Sequence, residues 1–227
     1  DQTKILVFYP QEGVSKIQRL QMLTQQGDNV SVFAVKGNFD DAQSGVKQIF
    51  SDSKYNEYLN EKGFKLSSAN SINWGRLLPQ IVYYFSAYAD LVNDKKITMG
   101  DKVNFTVPTG NFGDILAGFY AKCMGLPVNR LICASNSNNV LTDFLKTGTY
   151  DRNREFFKTI SPSMDILISS NLERLLYHIT NDAIKVKSYM EKLQSTGCYQ
   201  VDEATFKAIQ ETFSAGYLEF NFNKCCI

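Results

Sequence analysis

Apolar residues recur along this chain at two periods that alternate. Residues 5–9 form a short run of β-favouring apolar side chains that stops at Pro10, as a buried strand does. Ser15 stands three residues before Gln18, a capping-box spacing, and Ile17, Leu20 and Leu23 continue it as an amphipathic helix. Gly27-Asp28 turns the chain into a second strand, 30–35, which Gly37 ends. Asp40, three residues before Gln43, is expected to open a second helix carrying Val46, Ile49 and Phe50. Strand, helix, strand, helix with short connections is the pattern of a parallel α/β layer.

The stretch 54–65 is polar and dotted with tyrosines, and reads as a short helix followed by a crossing. From Asn70 a long apolar helix is expected, with Trp74, Leu77, Leu78, Ile81, Phe85, Tyr88 and Val92 near a 3.6-residue spacing. Pro79 lies inside it and either kinks it or marks where one helix gives way to another. The α/β rhythm then resumes: strand 103–107, helix 112–124, strand 131–134, and a helix over 140–146 stopped by Gly148. An apolar run over 164–168 follows Ser161-Pro162-Ser163, and Ser170 with Glu173 has the spacing of a capping box for a helix through Leu175, Leu176 and Ile179. From Asp182 onward the pattern is helical, with a break at Gly197 and a cap at Asp202.

Composition narrows the function classes. Lysine plus arginine number 24 against 23 aspartate plus glutamate, and the signs are interspersed, so nothing draws the chain to nucleic acid or to an anionic membrane. No apolar stretch reaches the roughly 18 residues of a membrane span, and the first residues lack the layout of a signal peptide. The five cysteines (Cys123, Cys133, Cys198, Cys225 and Cys226) include no CxxC pair, which argues against a disulfide framework or a zinc site and for reduced thiols. The terminal Cys225-Cys226-Ile227 is not a prenylation box, because Lys224 holds the fourth position from the end.

The stretch that carries chemistry is VPTGNFGD, residues 107–114, between an expected strand and an expected helix. Two glycines permit positive φ and close approach of the backbone to a ligand, and the helix that follows offers unpaired N–H groups and the positive end of its dipole. Thr109 and Asn111 add side-chain donors. The pattern is neither GxGxxG nor a Walker loop, so its residues alone leave two readings open: a phosphate cradle, or a tight strand-to-helix turn with no ligand. A carboxylate beside a phosphate would repel it, so Asp114 is read as serving the helix dipole or a main-chain amide. A second polar cluster, Ser67-Ser68-Ala69-Asn70-Ser71-Ile72-Asn73, either lines a polar ligand site or supplies a helix cap through Asn70 or Ser71. The single histidine, His178, has no nucleophile with which to form a triad and reads as structural. Phe64-Lys65, Phe157-Lys158 and Phe206-Lys207 read as surface lysines.

Taken together and in order, five segments resemble the threonine synthase family: YPQEGVSKIQRLQM (9–22), GNFDDAQSGVKQIF (37–50), SANSINWGRLLPQIVYYF (68–85), VPTGNFGDILAGFYAKCMGLP (107–127) and SPSMDILISSNLERLL (161–176). The resemblance implies a fold-type II, tryptophan synthase β-like enzyme dependent on pyridoxal 5'-phosphate (PLP): an α/β fold of parallel sheets with flanking helices in three layers. It implies residues 1–65 in a smaller domain, and 66–227 in a larger one that carries the phosphate loop. By the same resemblance Thr109, Gly110, Asn111, Phe112, Gly113 and Asp114 bind the cofactor, Asn70 and Ser71 face the substrate, and no metal is needed. The family converts O-phosphohomoserine and water to threonine and phosphate and is cytoplasmic, and its small-molecule substrate requires neither nucleic acid nor membrane.

One departure matters. The family's cofactor lysine sits in a Phe-Lys-Asp motif followed by Ser-Gly-Asp-Thr-Gly, and neither motif occurs among these 227 residues. The family's C-terminal segment, which serves the pyridine nitrogen, is also expected beyond Ile227. The resemblance therefore implies an incomplete, central fragment with no catalytic residue of its own, unable to form the lysine Schiff base or to turn over substrate alone. Two other readings stay open: a related phospholyase that eliminates phosphate without making threonine, and a non-catalytic domain that uses residues 110–114 to hold phosphate or a partner.

Overall fold

The computed structural model describes residues 3–11, 14–71 and 73–217. The chain forms two units, one of Asp1–Ser67 with Lys158–Pro162 and one of Ser68–Phe157 with Ser163–Ile227. Both contain parallel strands with flanking helices, as the apolar pattern predicts.

The first unit runs β1 (Ile5–Pro10), α1 (Lys16–Leu23), β2 (Val30–Val35), α2 (Phe39–Ser51) and α3 (Ser53–Glu61). β1 and β2 pair in parallel from Ile5↔Val30 to Pro10↔Val35, with the Phe8 and Phe33 rings stacked at 5.4 Å. The expected capping box opens α1: Ser15 Oγ accepts from the Gln18 N–H at 3.2 Å, and Gln18 Oε1 accepts from the Ser15 N–H at 3.3 Å. For α2 the expectation of Asp40 is corrected. Asn38 is the cap, its side chain accepting from the Asp41 N–H at 2.9 Å while Asp41 accepts from the Asn38 N–H at 2.8 Å. That box satisfies the first-turn donors before Asp40, already inside the helix, is reached. Much of the apolar pattern here faces solvent: Ile17 is 70% exposed and Leu6 60%.

The second unit holds α4 (Trp74–Leu77), α5 (Ile81–Asn93), β3 (Val103–Pro108), α6 (Gly113–Cys123), β4 (Val128–Ser135), α7 (Val140–Thr147), β5 (Thr149–Asp151), α8 (Leu172–Thr180), α9 (Ala183–Thr196), β6 (Cys198–Gln200), α10 (Glu203–Thr212) and β7 (Phe213–Tyr217). The helix expected from Asn70 begins instead at Trp74. Asn73 caps it by accepting from the Gly75 N–H at 3.0 Å, and neither Asn70 nor Ser71 does so. At Pro79 the helix tightens into a 3-10 turn, Leu78–Gln80, because proline has no N–H for the α-helical ladder. Gly148 and Gly197 end α7 and α9 in the left-handed conformation, and Asp202 caps α10, all as expected.

Two expectations fail. Ser170 and Glu173 form no capping box; Asn171 is the N-cap of α8 and its side chain is engaged elsewhere. The stretch from Asp182 is not all helix, because β6 pairs antiparallel with β5 and β7 completes a parallel sheet in the order β3-β4-β7. Tyr199 on β6 explains the first pair: it is buried and stacks on Tyr150 of β5 at 5.4 Å and 4°.

One face of the β3-β4-β7 sheet builds the core. Val107, Leu131, Cys133 and Phe213 are buried together with Ile115, Leu116, Ala117 and Ala121 of α6. A Cβ on Gly118 would lie 2.6 Å from the Tyr84 ring, so glycine is what lets α6 approach α5. Tyr84 is fixed by its hydroxyl, which donates to the Asp114 carbonyl at 2.8 Å. Among the described residues no helix is long and apolar enough to cross a membrane.

Candidate functional site

In parallel α/β sheets ligands bind beyond the carboxyl ends of the strands. Residues 109–113 leave the end of β3 there, and residues 136–139 leave the end of neighbouring β4. Thr109 is buried and built into the sheet edge: its N–H donates to Ala134 O at 2.9 Å and its hydroxyl to Val107 O at 2.7 Å. Its hydroxyl proton is therefore directed inward, and its contribution is to fasten the loop.

The loop corrects one sequence argument. Positive φ was expected of the glycines, but neither Gly110 nor Gly113 adopts it; the left-handed residue is Phe112, at φ 64 and ψ 8. A left-handed conformation costs a residue with a Cβ roughly 1–2 kcal/mol. The Phe112 side chain offsets that cost, being fully buried with its ring 5.6 Å from that of Phe213. The glycines serve close approach instead. A Cβ on Gly110 would meet Met164 Cα at 3.2 Å and Ser163 O at 3.3 Å, and one on Gly113 would meet Ser71 Cβ at 2.9 Å. The space they leave is occupied by the protein itself.

Two successive carbonyls of the loop are bound on one side. Ser169 Oγ donates to Gly110 O at 2.9 Å, while the Asn171 N–H and Nδ2 donate to Asn111 O at 3.0 and 3.1 Å. Asn111 Oδ1 accepts from the Gly113 N–H at 2.8 Å. Among the described residues, the N–H groups of Asn111, Phe112 and Asp114 donate to no protein acceptor. A left-handed residue in such a turn gathers N–H groups into an anion-binding concavity, here at the N-terminus of the 11-residue helix α6, with the Gly113 N–H already taken by Asn111 Oδ1.

Asp114 lies in the first turn of α6. Burial raises its carboxyl above the usual carboxylate range, and the bond from Tyr84 pulls it partly back. The Tyr84 hydroxyl, buried beside it, is pushed well above the usual phenol range, first by burial and then by the Asp114 charge. Their separation is 3.5 Å.

The second polar cluster is only partly drawn into this site. Ser71 is buried against Gly113, with its Oγ accepting from Asn171 Nδ2 at 2.9 Å and its carbonyl accepting from Arg174 at 3.0 Å. Asn70 is exposed on the same turn and accepts from Ser68 Oγ. Ile72 lies outside the described residues. None of the loop's hydrogen bonds given above involves His178. Its Nε2 meets Tyr120 Oη at 2.7 Å on the wall of an open cavity of about 750 Å³ that Trp74 and Met190 also line. Lys207 pairs with Glu203 at 2.6 Å on the surface of α10.

Sequence reasoning missed the segment that holds the loop. Ser169, Asn171 and Arg174 brace it, and Tyr150 pins the brace by donating to Leu167 O at 2.9 Å and accepting from the Ser169 N–H at 2.8 Å. A second network was also missed. Asn136 and Asn138 both donate to Asp165 Oδ1, at 2.7 and 3.1 Å, behind the β4 loop. The signal available was a polar triplet, Ser169-Ser170-Asn171, interrupting an apolar run. Among the described residues no group of histidine, cysteine, aspartate and glutamate could hold a metal, and Cys123, Cys133 and Cys198 are free thiols. Cys225 and Cys226 lie outside the described residues.

No family model matches the chain. The human protein named Threonine synthase-like 1 is 48% identical over 216 residues, covering 94% of the chain and 29% of its own length. The Saccharomyces cerevisiae threonine synthase is 40% identical over 221 residues, covering 93% of the chain and 41% of its own length. The crystal structure of PLP-bound threonine synthase from Brucella melitensis superposes with a TM-score of 0.81 at 44% identity, over 96% of this chain and 45% of that one. The chain thus spans less than half the length of these relatives. Across nearly all of its own length, in sequence and in fold, it belongs to the threonine synthase family.

Proposed function

We propose that this chain supplies the cofactor-phosphate loop of a PLP-dependent enzyme that converts O-phosphohomoserine and water to threonine and phosphate. The observation that carries the reading is the outward set of N–H groups at Asn111, Phe112 and Asp114, with the Gly110 and Asn111 carbonyls bound on the opposite side. Those donors fit a phosphate ester dianion and need no lysine or arginine to do so. Bound PLP supplies the electron sink that lets phosphate leave the substrate γ carbon and water add at the β carbon.

In this reading Gly110, Asn111, Phe112, Gly113 and Asp114 hold the cofactor phosphate, and Thr109 fastens them to the sheet. Asn70 and Ser71 lie on the turn against Gly113 and form part of the substrate wall, Ser71 chiefly by supporting Asn171. Asp114 takes part through its main-chain N–H, and its carboxyl sits beside the Tyr84 hydroxyl at 3.5 Å. Residues 1–65 belong to the smaller domain and 66–227 to the larger, and the enzyme works in the cytoplasm. No Phe-Lys-Asp motif lies within the 227 residues, so the cofactor lysine comes from another part of the protein and this chain alone does not turn over substrate.

A second reading is a phospholyase of the same family. It would use the same phosphate loop and differ only in the fate of the substrate once phosphate has left. One experiment separates the readings. The intact protein is incubated with PLP and O-phosphohomoserine, and phosphate, threonine and 2-oxo acid are quantified. Threonine equimolar with phosphate supports synthesis, and 2-oxo acid equimolar with phosphate supports elimination. No PLP-dependent release of phosphate would overturn both.

A further inference from the structure

We infer that Asn171 and Ser169 are positioning residues for phosphate capture: they bind the Asn111 and Gly110 carbonyls and thereby fix the aim of the N–H groups that receive the ligand. The inference rests on the phosphate-loop reading above.

A trans peptide unit is a rigid plane with its C=O and N–H pointing in opposite directions, and no cis peptide occurs among the described residues. Binding Gly110 O to Ser169 Oγ therefore turns the Asn111 N–H away from Ser169. Binding Asn111 O to the N–H and Nδ2 of Asn171 turns the Phe112 N–H away from Asn171. Two consecutive peptide planes are set by two residues some sixty positions away in sequence, Asn171 acting through both its side chain and its main-chain N–H.

Those side chains are themselves fixed. Asn171 is 1% exposed. One amide hydrogen goes to Asn111 O and the other to Ser71 Oγ at 2.9 Å, while Oδ1 accepts from Arg174 at 2.9 Å, so its donors are both committed. Ser169 is buried and its N–H is held by Tyr150. A loop oriented before the ligand arrives loses little freedom on binding, and its dipoles need no rearrangement. The ligand class follows from the geometry: a phosphate monoester, whose dianion takes several N–H donors at once.

The test uses the intact protein and two probes, PLP and pyridoxal, which differ only in the phosphate. Dissociation constants are measured by absorbance for the wild type, Asn171→Asp and Ser169→Ala, with near-UV circular dichroism as the check on folding. Asn171→Asp keeps the size and the acceptor for Arg174, but sets an oxygen against the Asn111 carbonyl. It is expected to weaken PLP about tenfold, and Ser169→Ala about threefold, in line with the loss of buried hydrogen bonds. Pyridoxal affinity is expected to change less than about twofold, because the phosphate term alone is affected.

Equal weakening of PLP and pyridoxal, or unchanged PLP affinity in the folded variants, would overturn the positioning role. Ser169→Ala, which removes one hydroxyl, carries the test even where Asn171→Asp does not fold. A wild-type protein that binds PLP no more tightly than pyridoxal would instead overturn the phosphate-loop reading, and the inference with it.

Discussion

Replacing Phe112 by alanine is expected to destabilise the protein by about 3–5 kcal/mol, the usual cost of truncating a fully buried aromatic residue. The ring is wholly inaccessible and packs on Phe213, whose strand β7 completes the sheet. Phe112 is also left-handed, so alanine inherits the backbone strain without the packing that offsets it. Glycine at this position relieves the strain and returns roughly 1 kcal/mol, because it adopts positive φ freely. The order of stability in urea should be wild type, then Phe112→Gly, then Phe112→Ala. A glycine variant as stable as the wild type would show that the ring contributes little and that the turn is held by hydrogen bonds alone.

The second large effect is expected at Gly118. An added Cβ would lie 2.6 and 2.7 Å from Tyr84 ring atoms and 2.9 Å from Leu131, all in the core. Tyr84 cannot swing aside, since its hydroxyl is bound to Asp114 O and its ring meets Phe105 at 5.0 Å. Overpacking of this kind costs about 1–3 kcal/mol, and the helix propensity of alanine over glycine returns up to about 1 kcal/mol. Gly118→Ala should thus lose up to about 2 kcal/mol net, and Gly118→Val more. A double-mutant cycle identifies the cause: with Tyr84→Leu present, Gly118→Ala should cost about 1 kcal/mol less than it does alone. Strict additivity would place the clash elsewhere.

The sequence revealed the fold where local chemistry decides it. Ser15 with Gln18, Pro10, Pro79, Gly148, Gly197 and Asp202 each act within one turn of their own position, and each does in the structure what its type implies. Asn38 and Asp40 each precede a carboxylate or amide at capping distance, and only the geometry of the turn decides between them. β6 and β7 give no strand signal because their pairing partners lie far away in sequence, and the three residues of β6 are too few to show a period of two. Here tertiary pairing overrides local pattern.

The candidate site was legible as a loop but not as a machine. The spacing of Gly110 and Gly113 located it, and the following helix gave its polarity. That the left-handed residue is Phe112 could not be read, because phenylalanine carries no preference for that conformation and accepts it only in exchange for burial. Nor could the brace be read. Ser169 and Asn171 act on residues some sixty positions away, and a serine or asparagine before a helix has the simpler local explanation of a cap. Asn171 does occupy the cap position of α8, yet its side chain serves the loop instead.

In the proposed function the N–H groups of Asn111, Phe112 and Asp114 receive the phosphate of PLP. The most direct measurement follows the amide signals of these three residues by NMR in the 15N-labelled intact protein as PLP is added. All three are expected to move downfield in step with saturation and to become slow to exchange with solvent, while pyridoxal leaves them in place. Saturable PLP binding with these three signals unmoved would contradict the proposed function.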